Sequence, residues 1–221
     1  MNYRLVRAEK TKNGIIRHEA IYRGKEDVFR YLSVRIGLVW PGQENPGFLV
    51  VGGMQVEDEL SPSLRGVIRI LREEEVKDLS LNVLFDSVTS TYVSMLCDEM
   101  YVDQAKEKED FKRRFWDYLD ARNLRSINVC DVPFRDHVLR LSTIKDFQDA
   151  GDLLIDRDSP LFHDLQGLSR SHLKDDFESK YFRLNALGYL ISGFSKYSPK
   201  PPLRFKDPVF HGGRGNNGWM L

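Results

Sequence analysis

Two neighbouring apolar segments constrain the fold of this chain more than any other feature. Residues 30–40 (RYLSVRIGLVW) are rich in β-forming side chains, and residues 48–56 (FLVVGGMQV) form a near-continuous apolar run. The linking segment PGQENPG has proline and glycine at both ends, which is typical of a turn. Because a continuous apolar strand is typical of a sheet buried on both faces, we predict a central, doubly covered strand pair.

The rest of the chain alternates predicted strands with predicted helices. Asn13-Gly14 between two β-rich runs predicts a hairpin over residues 3–22. Strands that alternate with helices favour a mixed sheet covered by helices, an α/β fold. The predicted helices cover residues 61–79, 89–122 (one helix or two), 134–150, 159–170 and 177–194, and the further short strands cover 81–87, 127–133 and 152–155.

The charges are unevenly distributed along the sequence, although their sum is zero. The chain has 33 basic and 33 acidic residues, but residues 1–35 carry a net charge of +5 and residues 196–221 carry +4. The intervening residues therefore carry −9. Two interpretations remain open: basic ends that meet phosphate around a metal-binding acidic body, or ordinary solvated surface with a basic tail.

Several functional classes are disfavoured by what the sequence lacks. No apolar run approaches the ~20 residues of a membrane span, and the first ten residues have no apolar signal core, so we expect a cytosolic protein. Cys97 and Cys130 are too few for a disulfide scaffold or a cysteine-based zinc site. The sequence has no Walker lysine loop and no dinucleotide-binding glycine motif, so we expect no nucleotide-binding motif.

Four segments have a characteristic order and spacing: SVRIGLVW with FLVVGGMQ, LNVLFDS before TSTYVSML, HVLRLSTIKDFQDAGDLLI, and YFRLNALGYLI. This order resembles the nuclease domain of large terminase subunits, the DNA-packaging motors of phages and herpesviruses. The resemblance implies an RNase H-like mixed sheet flanked by helices, with an extra N-terminal β-hairpin. It divides the chain into a basic hairpin arm (1–29), an RNase H-like domain (30–195) and a Pro/Gly-rich basic tail (196–221).

The resemblance also implies a two-metal nuclease. In that family Mg²⁺ or Mn²⁺ ions are held by carboxylates from the first strand, from the end of a later strand and from the start of the last helix. Asp86, at the end of the predicted strand LNVLFDS, matches the later-strand acid, and the resemblance makes it a catalytic residue and metal ligand. Asp86 also has a purely structural interpretation, because an acid in the sequence DSVTS suits a helix cap.

The other carboxylate positions of the family fall on different residue types. The first-strand place lies near Arg35 or Gly37, and the later acid of the last helix falls on Asn185. The paired acids at that helix fall on Tyr181 and Phe182.

Acidic residues just before the last helix are the nearest substitutes for those missing carboxylates. Glu178 and Asp176, with Asp175 beside them, are the predicted additional metal ligands. One carboxylate does not hold two divalent cations. Either the alignment is therefore shifted by a few residues, or the catalytic centre has decayed.

Two functions from different classes remain open. The first is a terminase-like domain in viral DNA packaging or processing, located in the host cytoplasm, with double-stranded DNA and other viral proteins as partners. The second is a non-catalytic DNA- or protein-binding module on the same scaffold, and an unrelated α/β domain is a third possibility. The predicted contacts are Arg170, Lys174 and Lys180 for DNA phosphates and Trp219 for a partner protein.

Overall fold

The computed structural model describes residues 4–41, 46–55, 66–76, 81–103, 109–124, 126–133, 136–167 and 181–194. Within these residues the chain forms eight strands and five helices. The strands are β1 Arg4–Lys10, β2 Ile16–Tyr22, β3 Lys25–Val39, β4 Gly47–Gln55, β5 Val67–Val76, β6 Glu99–Val102, β7 Val129–Asp131 and β8 Leu153–Leu154. The helices are α1 Leu81–Ser94, α2 Glu109–Ala121, α3 His137–Asp149, α4 Pro160–Gly167 and α5 Phe182–Phe194.

The strands form one mixed sheet built around the long strand β3. The carboxyl-terminal half of β3 pairs with β4 in antiparallel fashion and with β6 in parallel, and β7 continues the sheet in parallel beyond β6. β5 pairs antiparallel with β4 and parallel with β8. The amino-terminal half of β3 pairs with β2, which carries β1 at its other edge. The predicted central strand pair is therefore confirmed as β3 and β4.

Helices cover both faces of the sheet, which explains why β3 and β4 are apolar on both sides. One buried cluster packs α1 and α2 against side chains such as Leu38 and Trp40. The other cluster packs α3, α4 and α5 against the opposite face, where Val39 points. Neighbouring residues on β3 thus face different layers, as the two-residue period of a strand requires.

Helix α5 lies unusually close to the sheet because glycines stand beneath it. A Cβ built on Gly37 would lie 2.1 Å from the carbonyl oxygen of Ala186 and 2.8 Å from the backbone nitrogen of Leu190. On the neighbouring strand, a Cβ on Gly52 would lie 2.7 Å from the Leu190 side chain. The two glycines therefore allow α5 to pack directly on the sheet backbone.

The N-terminal hairpin and the third helix follow local sequence signals. Gly14 has a φ of +82° in the turn between β1 and β2, which is the left-handed conformation that glycine adopts without strain. Asp136 caps α3 by accepting hydrogen bonds from the backbone nitrogens of Val138 and Leu139. Gly151, with a φ of +74°, follows that helix, as predicted.

The predicted helix over 61–79 is wrong where the structure describes it, because residues 67–76 form β5. Ile68 and Ile70 are buried on one face of this strand. The strand pairs along its length with β4, so its backbone hydrogen bonds are made across the sheet. The apolar spacing in this segment is compatible with a helix or a strand, and pairing with β4 makes it a strand.

The predicted strand over 81–87 is also wrong, and the helical stretch predicted over 89–122 as one helix or two is two helices, α1 and α2, separated by the strand β6. Residues 81–94 form the single helix α1, which ends where Leu96 takes a φ of +53° and Cys97 donates its backbone N–H to the Tyr92 carbonyl. The strand β6 follows immediately, and its residues Met100 and Val102 are fully buried. Tertiary pairing with β3 overrides the local helix signal here.

The N-terminal hairpin shares the main sheet. The predicted boundary after residue 29 falls inside β3, which runs from Lys25 to Val39. Ile16 of β2 is fully buried in the cluster beneath α1. Among the described residues no helix is both long and apolar enough to span a membrane.

Candidate functional site at the carboxyl edge of the parallel strands

The carboxyl ends of β3 and β6 meet at the same edge of the sheet because the two strands are parallel. β3 is followed by Trp40, a buried core residue, whereas β6 is followed directly by Asp103. Asp103 is only 8% exposed. The alternation of side chains along a strand places it on the same side as Tyr101, which packs in the cluster beneath α5. This edge is therefore the place where the architecture can gather functional side chains.

At the first-strand position where the terminase resemblance implies a carboxylate, the chain has the buried cation Arg35. The Arg35 side chain is 1% exposed, and its guanidinium lies 2.9 Å from the Glu99 carboxylate on β6. It also donates a 2.5 Å hydrogen bond to the carbonyl oxygen of Gly193 and lies 4.9 Å from the centre of the Phe194 ring. Arg35 thus joins β3, β6 and the end of α5, and its charge is balanced by Glu99.

Tyr101 completes the cluster around Glu99. Its hydroxyl donates a 2.6 Å hydrogen bond to the Glu99 carboxylate, and its ring lies 5.8 Å from the Arg35 guanidinium carbon. Burial, followed by this hydrogen bond, raises the pKa of the Tyr101 hydroxyl, so it stays protonated and remains a donor. The carboxylate of Glu99 is consequently engaged by a cation and a hydroxyl.

At the last-helix position where the resemblance implies an acid, the chain has the amide of Asn185, which is hydrogen-bonded to a second buried arginine. Asn185, in the first turn of α5, accepts a 2.9 Å hydrogen bond from the guanidinium of Arg140 on α3. Arg140 is 2% exposed, and its guanidinium lies 5.0 Å from the centre of the Tyr189 ring. A Cβ on Gly188 would lie 3.1 Å from the Arg140 side chain, so glycine makes room for the arginine. The contact fastens α3 to α5.

Asp86 lies on helix α1, in the helical layer on the other face of the sheet. It accepts a hydrogen bond from the Tyr118 hydroxyl on α2, and Arg122 lies 3.6 Å away. Its side chain is 60% exposed. Because Asp86 is the sixth residue of α1, the expected strand end is wrong and so is the alternative of a helix cap. The observed role of this carboxylate is to bridge two helices.

The environment of Tyr118 confirms that bridge. Burial, followed by the hydrogen bond to Asp86, raises the pKa of the Tyr118 hydroxyl. The Arg122 guanidinium carbon stands 3.8 Å from the centre of the Tyr118 ring, a cation–π distance. The metal-ligand role of Asp86 stays a prediction, but the strand position that suggested it belongs to Asp103.

The remaining predicted site residues lie outside the described residues. These are Asp176, Glu178, Arg170, Lys174, Lys180 and Trp219. Within the parts of the chain that the structure describes, no group of three or more histidine, cysteine or acidic side chains is arranged to hold a metal ion. The described residues at this edge therefore do not fit a two-metal centre.

The sequence analysis missed two acids at the ends of β6: Glu99, its first residue, and Asp103, which directly follows it. The signal was present, because the apolar triplet Met100-Tyr101-Val102 stands between charged residues and ends at an acid. The helical interpretation of residues 89–122 concealed it.

Comparison with solved structures gives a match to the large terminase nuclease of the thermophilic phage G20c, a crystal structure with bound zinc. The TM-score is 0.50 at 14% sequence identity, and the match covers 85% of this chain and 92% of that chain. The chain has the fold of a large-terminase nuclease. No protein-family model matches the sequence, and neither does any curated protein.

The terminase nuclease fold confirms the predicted RNase H-like mixed sheet, flanked by helices and extended by an N-terminal hairpin. The pair β3 and β4 is the hairpin that the terminase resemblance assigned to SVRIGLVW and FLVVGGMQ. The strand beside β3 in parallel is β6 rather than the segment 81–87. The acid that ends this later strand is therefore Asp103.

Proposed function

We propose that this chain is a terminase-like domain in viral DNA packaging or processing that binds DNA or a partner protein without cutting DNA. The proposal rests on the side chains at two positions where the terminase resemblance requires carboxylates, because neither side chain is acidic. Arg35 stands at one of them, and at the other Asn185 is held by the guanidinium of Arg140. The nuclease fold is then a scaffold.

The chemistry of these side chains supports a non-catalytic role. Two divalent cations about 4 Å apart need several carboxylate oxygens that converge on them. Arginine repels such cations, and the amide of Asn185 carries no charge. Glu99 is occupied by Arg35 at 2.9 Å and by the Tyr101 hydroxyl at 2.6 Å. Releasing Glu99 for a metal would leave the buried Arg35 without its counter-charge, which is strongly unfavourable.

The basic N-terminal hairpin contributes less free charge than its sequence suggests. Lys10 lies 3.2 Å from Asp98, and Arg17 lies 3.2 Å from Glu19. Arg7 likewise pairs with Glu9. Because these charges are matched within the fold, we assign phosphate contact first to Arg170, Lys174 and Lys180 before α5, and we assign partner contact to Trp219 in the basic tail.

A binding experiment tests the DNA assignment. Fluorescence anisotropy with a short DNA duplex would be measured over a range of salt concentrations for wild type and for the triple variant Arg170→Gln/Lys174→Gln/Lys180→Gln. We expect weaker binding by the variant and a salt slope lowered by about 0.9 for each lost phosphate contact.

The matched control for that experiment removes three charges from α2, with Lys112→Gln, Arg113→Gln and Arg114→Gln. If this control weakens binding as much as the first variant, the contact site is not the segment before α5. Wild-type protein that fails to bind duplex DNA at low salt would refute the DNA assignment.

A metal-dependent endonuclease is the second candidate, and Asp103 at the end of β6 is the observation that favours it. Asp103, Asp176 and Glu178 would hold Mg²⁺ or Mn²⁺, with Asp86 as the other predicted ligand. Bound divalent cations would supply charge stabilisation at a phosphodiester.

Plasmid cleavage with Mn²⁺ separates the two candidates. We expect no cleavage by wild type. Cleavage that Asp103→Asn abolishes and the exposed control Asp117→Asn retains would establish the nuclease and refute the non-catalytic proposal. Cleavage lost in Asp86→Asn but kept in Asp103→Asn would instead restore Asp86 as the ligand.

A further inference from the structure

A cavity of about 470 Å³ opens between the N-terminal hairpin, β5 and the end of α1. Its volume falls in the roughly 300–1,000 Å³ range of small-molecule sites. Leu5, Phe29, Leu71 and Met95 supply apolar walls. Its described lining does not include Asp103, so it is separate from the sheet edge described above.

His18 supplies a hydrogen-bond acceptor to the cavity wall. The side chain is 1% exposed, and its Nε2 lies 3.0 Å from the carbonyl oxygen of Met95. A carbonyl oxygen only accepts, so Nε2 carries the proton and Nδ1 has a lone pair. Burial lowers the pKa of His18 to about 4, which keeps the ring neutral at pH 7.

The position of this acceptor is fixed, and no residue in the described part of the chain satisfies it. The His18 ring packs edge-on against Tyr31, with 5.3 Å between ring centres. Within the described residues, the bond to Met95 is the one hydrogen bond that the His18 side chain makes. Since Nε2 is used by Met95 and the ring is neutral, the Nδ1 lone pair can accept an N–H from a ligand in the cavity.

Arg4 supplies an anion-binding group on the same cavity. It is exposed on β1, and its side chain makes no ion pair or hydrogen bond within the described residues. The other charged groups on the lining are Arg72, Glu73 and Glu74, and one carboxylate oxygen of Glu73 is buried without a hydrogen-bond partner among the described residues. Arg72 pairs with Glu74, and a Glu73 carboxylate oxygen lies 3.4 Å from the backbone nitrogen of Leu161.

We propose that this cavity binds a nucleotide, with the base between the apolar walls donating an N–H to His18 Nδ1 and the phosphate on Arg4. Every nucleobase has an N–H donor and a flat apolar face, and guanidinium groups pair well with phosphate. The chemistry is shared by a free nucleoside monophosphate and by the phosphorylated end of a nucleic-acid strand.

Calorimetric titration with adenosine 5′-monophosphate tests the site in the full chain. We expect binding that is weakened about tenfold or more by His18→Phe, which corresponds to the loss of one hydrogen bond. Arg4→Gln should weaken the nucleotide to a similar extent while leaving unphosphorylated adenosine unaffected. Arg7→Gln, on the same strand, is the matched control and should bind as wild type does.

A second measurement keeps the test valid if His18→Phe fails to fold. In wild-type protein the ¹⁵N resonance of His18 Nδ1 should shift upfield when the nucleotide donates a hydrogen bond to it, and 2-naphthoate, an aromatic anion without an N–H, should not produce this shift. A 5′-phosphorylated dinucleotide that binds more tightly than the mononucleotide assigns the ligand to a strand end, and the reverse order assigns it to a free nucleotide. Absence of binding by both ligands, or equal binding by the Arg4→Gln variant, would overturn the proposal.

Discussion

Buried arginines distinguish this domain at the scale of single residues. Arg35 and Arg140 are each no more than 2% exposed, and both are held by specific partners beneath α5. A buried guanidinium is costly without polar partners, and Arg35 has an ion pair with Glu99 and a hydrogen bond to Gly193, whereas Arg140 has a hydrogen bond to Asn185. These contacts stabilise the helix–sheet packing at the positions where the terminase resemblance implied metal ligands.

The neutral histidine in the hairpin makes stability depend on pH. The pKa of His18 is lowered from 6.5 to about 4 by burial, so the unfolded chain binds more protons than the folded chain between those values. The stability contributed by the neutral ring is therefore complete above about pH 6.5 and is lost as the pH falls towards 4. The loss is on the order of 3 kcal/mol.

Urea unfolding at pH 7 and at pH 4.5 measures this effect. We expect wild type to lose more stability than His18→Phe over the interval, because the variant lacks the titrating group. Carboxylates titrate in both proteins and cancel in the difference. Equal losses in the two proteins would contradict the assignment.

At the scale of elements, the approach of α5 to β3 depends on Gly37. An added methyl group would stand 2.1 Å from the Ala186 carbonyl oxygen, so the helix backbone has to move. We expect Gly37→Ala to destabilise the protein by about 3 kcal/mol or more. Gly167→Ala at the end of α4, where no atom lies within 4 Å, should change stability by less than about 1 kcal/mol. Similar midpoints for both variants in urea would refute the close approach.

Helices α1 and α2 are joined by the hydrogen bond between Tyr118 and Asp86. We expect Asp86→Asn and Tyr118→Phe each to cost about 1–2 kcal/mol. Since both substitutions remove one interaction, the double variant should lose less than the sum of the two. Thermal unfolding of the three variants measures the coupling, and Asp117→Asn on the exposed side of α2 serves as a control. Strict additivity would show that the two side chains act independently.

At the scale of the whole molecule, we expect the hairpin to unfold together with the sheet to which it is paired. Ile16 is fully buried in the cluster beneath α1, whereas Val6 on β1 is 58% exposed. We expect Ile16→Ala to lower the stability of the main unfolding transition by about 2–4 kcal/mol, since it leaves a cavity in the core. Val6→Ala should change it by less than about 0.5 kcal/mol.

Differential scanning calorimetry of Ile16→Ala and Val6→Ala measures these changes in stability. A single transition that shifts in Ile16→Ala is the expected result. If the hairpin were an independent arm, the main transition would keep its midpoint and a separate, smaller transition would appear. That outcome would support the predicted boundary between a hairpin arm (1–29) and the rest of the domain.

Much of the architecture follows from the sequence because it depends on local or strongly patterned signals. The apolar runs of β3 and β4 are rich in β-forming side chains and are separated by proline and glycine, which favours a buried strand pair, and Asn13-Gly14 favours a tight turn. Asp136 and Gly151 delimit α3 through backbone capping, which involves only near neighbours. These elements, in this order, predict an α/β fold, and the resemblance to terminase nucleases implies the RNase H type.

The sequence by itself determined the fold class and the charge and apolar content of each segment. The tertiary structure alone decided which segment pairs with β3, and so whether Asp86 or Asp103 ends the neighbouring parallel strand. It also decided that Arg35 meets Glu99, 64 residues away, and that the basic hairpin meets its own acids. The physical reason is that short apolar segments satisfy helical and extended periods equally well. Only hydrogen bonding and burial between distant segments choose one of these periods.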